Sequence, residues 1–458
     1  MKRVRLLVIL LPLIAVAVVV GRWVGRTRPT PPPTVSSPPS IVLIIIDTLR
    51  ADKLGAYGHP APISAELDTF GRRGVRFARV VAQSSWTRPS VASLLTSRYP
   101  REIGIYQEKA HILDDRFQTL AELLKESGYT TIGVTANPNI NGSFNFDQGF
   151  DHYEDSDILF HWMQKEPGKA SITARPIRTA REMLGGMLEW TANNGQPPYY
   201  LQVNLMEVHQ FDDPRSRSPE YAQLFTTARH RDYLQAVYAV SKEVARFIRS
   251  LEERPEWSDA LFVVTSDHGE GLSDHPHVAR SHSHGLLLYS SQLLVPLLFY
   301  TPSGDLPRGK VIDRPVRLLD LMPTLLDYAG VPVPAGVRGV SLLPLMRGEA
   351  DDVSLPDRFV VETQFQGADK IGVYSRDWKY IENRDGHRGT SPNELHRIGV
   401  KEDGTRTDVA RQFPDVTRDL AVHLERWEGA HPKAEPTLRT RDLPPLQREQ
   451  LRALGYLE

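Results

Sequence analysis

Cysteine is absent from this 458-residue chain. The chain can therefore form no disulfide, no thiolate metal site and no lipid attachment at a cysteine. Charge of one sign is not in excess either, because 55 basic and 56 acidic side chains leave a net charge of −1. That balance does not favour a nucleic-acid partner bound by bulk electrostatics. The 40% apolar content is enough for a large buried core.

Long hydrophobic runs are scarce, and the longest lies near the N-terminus. Residues 6–21 are apolar, with three basic residues before them and Arg22, Trp23 and Arg26 after them. Sixteen helical residues reach roughly 24 Å, short of a bilayer core of about 30 Å, although the flanking Trp and Arg side chains can extend the run. We expect residues 1–26 to form a membrane anchor, or a signal-like segment of a secreted protein if it is cleaved. The proline-rich residues 27–39 are expected to form an extended linker.

Two apolar, β-branched runs end abruptly in polar residues. Residues 40–46 lead into Asp47, and residues 260–265 lead through Ser266 into Asp267 and His268. Such runs are typical of buried strands in a parallel sheet, and ligands bind such sheets beyond the carboxyl ends of the strands. Alternating apolar runs and helical patterns between them predict an α/β fold with a mostly parallel sheet flanked by helices. We expect the three polar residues to converge around a divalent cation.

A lone hydroxyl stands where another helix is predicted to begin. Thr87 precedes Arg88, Pro89 and Ser90, and apolar residues at helical spacing follow. Thr is a favoured N-cap, and Pro suits the first helical turn. The start of a helix also binds anions such as phosphate or sulfate. Thr87 is thus either a simple helix cap or a nucleophile, with an oxygen that could also bind the metal.

Together these stretches resemble the sulfatase family of the alkaline phosphatase superfamily. The resemblance runs through DTLRADKLGAYG (47–58), SSWTRPSVASLLTSRYP (84–100), TSDHGE (265–270), LLLYSSQLLVPLLFY (286–300) and the closing LRALGYLE (451–458). It implies a catalytic domain over residues 40–350 and a small C-terminal α+β subdomain over residues 351–458. By analogy with secreted relatives, the catalytic domain is expected outside the cytoplasm, in the periplasm or the extracellular space.

One departure from the family concerns the nucleophile. Sulfatases carry Cys, or sometimes Ser, that is oxidised to formylglycine, whereas Thr87 stands at that position and Val91 replaces the supporting Arg. The methyl group on Cβ of threonine prevents the same oxidation from giving an aldehyde. An unmodified Thr instead resembles the phosphodiesterase and the phosphoethanolamine or phosphoglycerol transferase branches.

Further polar residues follow other strand ends. His209 comes shortly after the run 199–205, and Asn137 comes after the run 129–134. The resemblance implies that His209 is an active-site residue and that Asn137 binds substrate. His284 matches the family's His-Gly pair, whereas His275, His277 and His282 are expected to be structural or exposed. Glu270 is either a surface residue or a residue that orients His268.

These residues predict a metal-dependent hydrolase of phosphate or sulfate esters that acts through a covalent Thr87 ester. Asp47, Thr87, Asp267 and His268 would bind Ca, Mg, Mn or Zn at one site, with a second site possible through His209 and His284. His209 and His284 would protonate the leaving oxygen or stabilise its charge. The substrate would be a small-molecule, glycan or lipid ester, with phosphate preferred. Three alternatives stay open: a sulfatase without formylglycine, an envelope phospho-alcohol transferase, and a non-catalytic binder of anionic glycans.

Overall fold

A computed structural model describes residues 38–107, 111–155, 178–218, 220–221, 229–278, 280–350, 353–386, 390–402 and 406–438. The predicted anchor (1–26), most of the linker and the closing 451–458 stretch lie outside these residues. Within the described ranges, no helix is both long enough and apolar enough to cross a bilayer.

The strands belong to three sheets. In chain order they are β1 (Ile41–Ile46), β2 (Val75–Phe77), β3 (Val80–Val81), β4 (Thr130–Thr135), β5 (His152–Glu154), β6 (Tyr199–Leu205), β7 (Leu261–Thr265), β8 (Leu294–Val295), β9 (Leu297–Tyr300), β10 (Lys310–Ile312), β11 (Val316–Arg317), β12 (Phe359–Thr363), β13 (Lys370–Tyr374), β14 (Trp378–Asn383) and β15 (Asn393–Arg397). The largest sheet has the order β10-β2-β9-β7-β1-β6-β4-β5. Its pairs are parallel except for those that β9 makes with β2 and β7.

Helices lie between the strands. The α-helices are α1 (Ala65–Arg73), α2 (Thr87–Thr96), α3 (Pro100–Ile103), α4 (Leu120–Glu126), α5 (Ala180–Asn193), α6 (Arg231–Glu252), α7 (Ser290–Leu293), α8 (Leu321–Tyr328), α9 (Leu343–Arg347) and α10 (Pro414–Ala430). Short 3₁₀ turns occupy Ala51–Lys53, Gly55–Tyr57, Pro138–Ile140, Gly142–Phe144, Pro214–Ser216, Pro255–Trp257 and Leu318–Asp320. The predicted α/β fold with a mostly parallel, helix-flanked sheet is confirmed.

The central strand β1 is buried on both faces. Alternate side chains of β1 enter two separate hydrophobic cores, with Ile41, Leu43 and Ile45 on one side and the remaining three on the other. All six are fully buried. This two-sided burial explains why β1 is a continuous apolar run rather than an alternating one.

The register of the sheet brings four strand ends to one edge. Ile45 of β1 lies opposite Asn204 of β6 and Thr265 of β7, and Asn204 lies opposite Thr135 of β4. The residues that follow these strands therefore leave the sheet side by side. This edge is where the sequence placed its candidate site.

The C-terminal part is an antiparallel sheet with the order β12-β13-β14-β15, packed against α10. The sequence pattern predicts strands at 359–362, 371–375 and 378–382 and a helix at about 416–427. The ends of β12, β13 and β14 lie within one residue of these bounds, and α10 extends the predicted helix at both ends. The fourth strand, Asn393–Arg397, was not predicted. Its polar, charged sequence lacks the apolar alternation that indicates a half-buried strand.

Candidate active site

The candidate site begins at the ends of β1 and β7. Asp47 directly follows β1, and Asp267 and His268 follow β7, all three with fully buried side chains. One ligand atom from each lies within 4.8 Å of the others. Among the described residues, this is the one such cluster of potential metal-binding side chains.

Thr87 lies beside this cluster and does not cap its helix. The helix α2 begins at Thr87 as expected, but Trp86 is the N-cap residue and no side chain makes a capping bond. Of the two roles left open for Thr87, the structure does not support the helix cap. Thr87 Oγ1 instead lies 3.2 Å from His268 Nε2 and accepts a hydrogen bond from Asn137 Nδ2 at 3.3 Å. The hydroxyl thus contacts polar side chains rather than the helix backbone.

The imidazole of His268 is oriented by the backbone. Its Nδ1 lies 2.9 Å from the carbonyl oxygen of Gly269, which fixes Nδ1 as the donor and leaves the lone pair on Nε2. That Nε2 lies 3.4 Å from Asp267 Oδ2 and 3.8 Å from Asp47 Oδ1. Burial, with help from the nearby His284, lowers the pKa of His268 to about 3. A neutral imidazole with a free lone pair is the form that binds metals.

The two carboxylates are each left with one unsatisfied oxygen. Asp47 Oδ1 and Asp267 Oδ2 are buried and make no hydrogen bond among the described residues. Burial raises the pKa of both carboxyls, and the neighbouring charge of Asp267 raises that of Asp47 further. Two carboxylate oxygens and an imidazole nitrogen that converge in this way fit a divalent cation, which would remove the repulsion. These donors admit several ions, so the identity of the metal stays open.

Both the oxygen and the nitrogen of the Asn137 side-chain amide make hydrogen bonds. Its Oδ1 accepts from the N–H of Asn139 at 2.8 Å, so its Nδ2 is directed at the site. There Nδ2 donates to Asp47 Oδ2 at 2.5 Å and to Thr87 Oγ1 at 3.3 Å. Asn137 therefore positions the candidate nucleophile and a candidate metal ligand.

His284 lies next to His268, and His209 lies next to His284. The ring centre of His284 is 4.7 Å from that of His268 and 5.0 Å from that of His209. Glu270 Oε2 lies 2.8 Å from His284 Nδ1. Both alternatives for Glu270 are therefore wrong: it is buried, and it pairs with His284, whereas His268 is oriented by the Gly269 carbonyl.

His209 and His284 differ in how readily they are protonated. Burial and the nearby His284 lower the pKa of His209 to about 3, so it is neutral at pH 7. Burial also acts to lower the pKa of His284, but the Glu270 carboxylate outweighs it and raises that pKa above its ordinary value. Because of this pairing, His284 is the more readily protonated of the two.

The other histidines of the 274–285 loop lie apart from the site. His275 is buried, with Nε2 at 2.9 Å from the hydroxyl oxygen of Ser291, and His277 and His282 are exposed. These positions match the structural or exposed roles expected for them.

Supporting contacts were not evident from the sequence. Ser90 Oγ donates to the carbonyl of Asp267 at 2.6 Å and so ties helix α2 to the metal-site loop. Fully buried Arg88 donates from Nε and Nη2 to the backbone and side-chain oxygens of Asn139, both at 3.1 Å. Because the partners are 51 and 177 residues apart in the chain, the only sequence signal for them was the Arg-Pro-Ser stretch itself.

Comparison with known proteins identifies the family. The sulfatase family model matches residues 39–331, and the model of the C-terminal part of N-sulphoglucosamine sulphohydrolase matches residues 284–383. The chain belongs to the sulfatase family. Its parallel sheet and buried Asp/Asp/His cluster are those of an enzyme that hydrolyses sulfate or phosphate esters.

Individual relatives are distant but cover most of the chain. The Delta 4,5-hexuronate-2-O-sulfatase of Bacteroides thetaiotaomicron is 25% identical over 438 residues, covering 84% of this chain and 87% of the relative. Human N-acetylgalactosamine-6-sulfatase is 26% identical over 357 residues, which cover 69% of this chain and 67% of the relative. The crystal structure of the phosphonate monoester hydrolase of Agrobacterium radiobacter superposes with a TM-score of 0.68 at 19% identity. The superposition covers 86% of this chain and 96% of the hydrolase.

Removing the Thr87 hydroxyl tests its place in the reaction. We expect Thr87→Ala to lower kcat by several orders of magnitude and to leave the fold intact, because the hydroxyl makes no capping bond and even a lost cap costs only about 1 kcal/mol. Thr87→Ser keeps the hydroxyl and should retain most of the activity. Steady-state kinetics and thermal unfolding of both variants give the comparison. Undiminished turnover by Thr87→Ala would rule out the hydroxyl as nucleophile.

Removing one charge from the cluster tests the metal site. Asp267→Asn should bind a divalent metal more weakly, and excess metal should partly restore its activity, because one anionic ligand is lost. Metal titrations followed by calorimetry and by activity measure both effects. Asp419→Asn changes a largely exposed carboxylate on α10 and serves as the control. An Asp267→Asn protein with the metal dependence of wild type would place Asp267 outside the metal site.

Proposed function

We propose that this protein is a metal-dependent hydrolase that cleaves phosphate esters through a covalent Thr87 intermediate. The observation that carries the proposal is the position of Thr87 Oγ1. It lies at the first residue of a buried helix, 3.2 Å from His268 Nε2, and is not engaged in helix capping. A hydroxyl held beside two carboxylates and an imidazole is placed for activation rather than for structure.

Asp47, Asp267 and His268 would hold the metal, with Thr87 Oγ1 as a further oxygen ligand. When bound, a divalent cation supplies Lewis-acid stabilisation of negative charge on oxygen. The unpaired oxygens Asp47 Oδ1 and Asp267 Oδ2 support this assignment.

Thr87 Oγ1 would attack phosphorus as the bond from phosphorus to the leaving oxygen breaks, and the hydroxyl proton of Thr87 would pass to water, because a bound cation favours the alkoxide form of the nucleophile. Asn137 Nδ2 donates a hydrogen bond to Thr87 Oγ1 and so stabilises negative charge on the attacking oxygen. The N-terminus of the ten-residue helix α2 adds the positive end of its dipole beside the transferred group. Water would then attack the same phosphorus, the bond from phosphorus to Oγ1 would break, and a proton from the water would restore the Thr87 hydroxyl.

His284 is the better candidate for the general acid. Its pairing with Glu270 favours the protonated imidazolium, which can donate a proton to the leaving oxygen. His209 is neutral at pH 7, so it can accept a proton or a hydrogen bond but has no extra proton to donate. The same role is expected for these two residues from the sequence, whereas their surroundings favour different roles.

Phosphorus is preferred to sulfur because of how the intermediate must be broken. A formylglycine hydrate can expel sulfate with the help of its second hydroxyl, but Thr87 has no second hydroxyl. Its ester must be released by external attack on the central atom. A phosphoryl group carries more negative charge on its oxygens than a sulfuryl group, so a cation and a helix N-terminus stabilise its transition state more.

The organic part of the substrate is proposed to be a sugar. Relatives are named for sulfate esters of hexuronate and N-acetylgalactosamine, and one solved relative is a phosphonate monoester hydrolase. These names support an acidic glycan ester as the class of substrate. They also show that proteins of this fold include hydrolases of both sulfur and phosphorus compounds.

A matched set of aryl esters tests the preference for phosphorus. With the metal supplied in excess, kcat/KM should be highest for an aryl phosphate diester or monoester and clearly lower for the sulfate ester of the same phenol. The Thr87→Ala protein, prepared in parallel, reports any contaminating phosphatase. A clear advantage for the sulfate ester would contradict the preference and define a sulfatase that works without formylglycine.

A further inference from the structure

A cavity next to the turn that follows β1 is built from residues outside the candidate active site. It encloses about 710 Å³, within the range of ligand-binding pockets. Its walls come from the turn after β1 (50–53), the loop at 274–275 and the stretch 398–402. Neither Thr87 nor any of the candidate metal ligands, Asn137, His209 or His284 lines it.

Positive charge is in excess around this cavity. Five side chains with permanent positive charge line it: Arg50, Lys53, Arg79, Arg229 and Lys401. Three carboxylates do so, but Glu402 is already paired with buried Lys379, which is not part of the lining. Among the described residues that line the cavity, only Asp52 and Asp274 therefore remain to balance the five cations.

Asp274 contacts more positive charge than its single carboxylate can neutralise. Its side chain, 6% exposed, contacts Arg50 at 2.8 Å, Arg229 at 3.1 Å and Lys401 at 3.7 Å. His230 Nε2 also lies 3.3 Å from Asp274 Oδ1. One carboxylate cannot neutralise three permanent cations, so an anion entering the cavity would be attracted by the surplus charge.

Two of these cations are placed to meet a ligand. The side chains of Arg229 and Lys401 are 64% and 61% exposed, and the Lys401 Nζ lies beyond hydrogen-bonding distance of Asp274. Arg50, at 5% exposure, is instead fixed by Asp52, Asp274 and the carbonyl of Glu270. A rigid buried arginine with two exposed cations at the rim suits an oxyanion such as sulfate, phosphate or carboxylate.

Apolar surface completes the lining. Tyr57, Leu234, Leu294, Pro315 and Ile398 face the same cavity as the cations. A free inorganic anion gains nothing from such surface, whereas the C–H faces of sugar rings can pack on it. The volume also exceeds what a single small anion would fill.

We infer that this cavity is an exosite that binds the acidic groups of an oligosaccharide, separately from the ester that is cleaved. Arg229 and Lys401 would contact the oxyanions, and the apolar wall would contact the sugar rings. The site would hold an acidic glycan chain while another of its groups occupies the Thr87 site. The inference does not depend on Thr87 being the nucleophile or on phosphorus being preferred.

The test removes the two rim cations in the full-length protein. Arg229→Ser and Lys401→Ser are combined in a Thr87→Ala background, and released sulfate is measured in each mixture so that turnover of the probe is excluded whatever the role of Thr87. The control combines Arg181→Ser and Arg418→Ser, which also removes two exposed, ion-paired cations but lies outside the cavity. Calorimetry measures binding of a heparin-derived hexasaccharide and, separately, of inorganic sulfate, both at physiological ionic strength.

We expect the rim variant to bind the hexasaccharide at least tenfold more weakly than the Thr87→Ala parent, and the control to bind it like the parent. Inorganic sulfate should bind far more weakly than the hexasaccharide to every protein. Equal affinity of the rim and control variants for the hexasaccharide would overturn the exosite. Tight, rim-dependent binding of inorganic sulfate with no gain for the hexasaccharide would overturn the oligosaccharide assignment. Neither result bears on whether the Thr87 site hydrolyses esters.

Discussion

The structure of the site depends on two carboxylates that are buried next to each other. Asp47 and Asp267 are fully buried, and each keeps one oxygen without a hydrogen bond among the described residues. An uncompensated buried carboxylate costs several kcal/mol, and two of them also repel each other. The surrounding groups reduce this cost only in part, through Asn137, the N–H of Thr48 and the N–H of His268. A cation between the carboxylates is the compensation that best explains why the fold keeps both.

The strands and the polar residues at their ends could be predicted because they are encoded by local patterns of residues. Strand Tyr199–Leu205 has the bounds of the predicted run, and Leu261–Thr265 lies within the predicted run 260–265, because two-sided burial makes both of them largely apolar up to their ends. The convergence of Asp47, Asp267 and His268 followed from the rule for strand ends. What the sequence could not show were contacts between distant segments. Glu270 pairs with His284 rather than His268, and Arg88 donates a hydrogen bond to Asn139. Both contacts depend on the paths of loops, which no sequence periodicity encodes.

The position of Thr87 links the fold to the proposed chemistry. A threonine that capped its helix would have its oxygen engaged by backbone N–H groups. Trp86 takes the cap position instead, so Thr87 Oγ1 faces Asn137 and His268. The same residue limits the chemistry, because an ester on threonine can be released only by external attack. The proposed preference for phosphorus rests on this release step of the proposed Thr87 ester.

Capture of the covalent intermediate tests this account most directly. Metal-loaded protein is mixed with an aryl phosphate ester that has a good leaving group, quenched with acid during turnover, digested and analysed by mass spectrometry. The account predicts a substrate-derived phosphoryl group on Thr87 in the wild-type peptide and none in the Thr87→Ala protein. Turnover that leaves Thr87 unmodified at every quench time, or a phosphoryl group on a different residue, would contradict it.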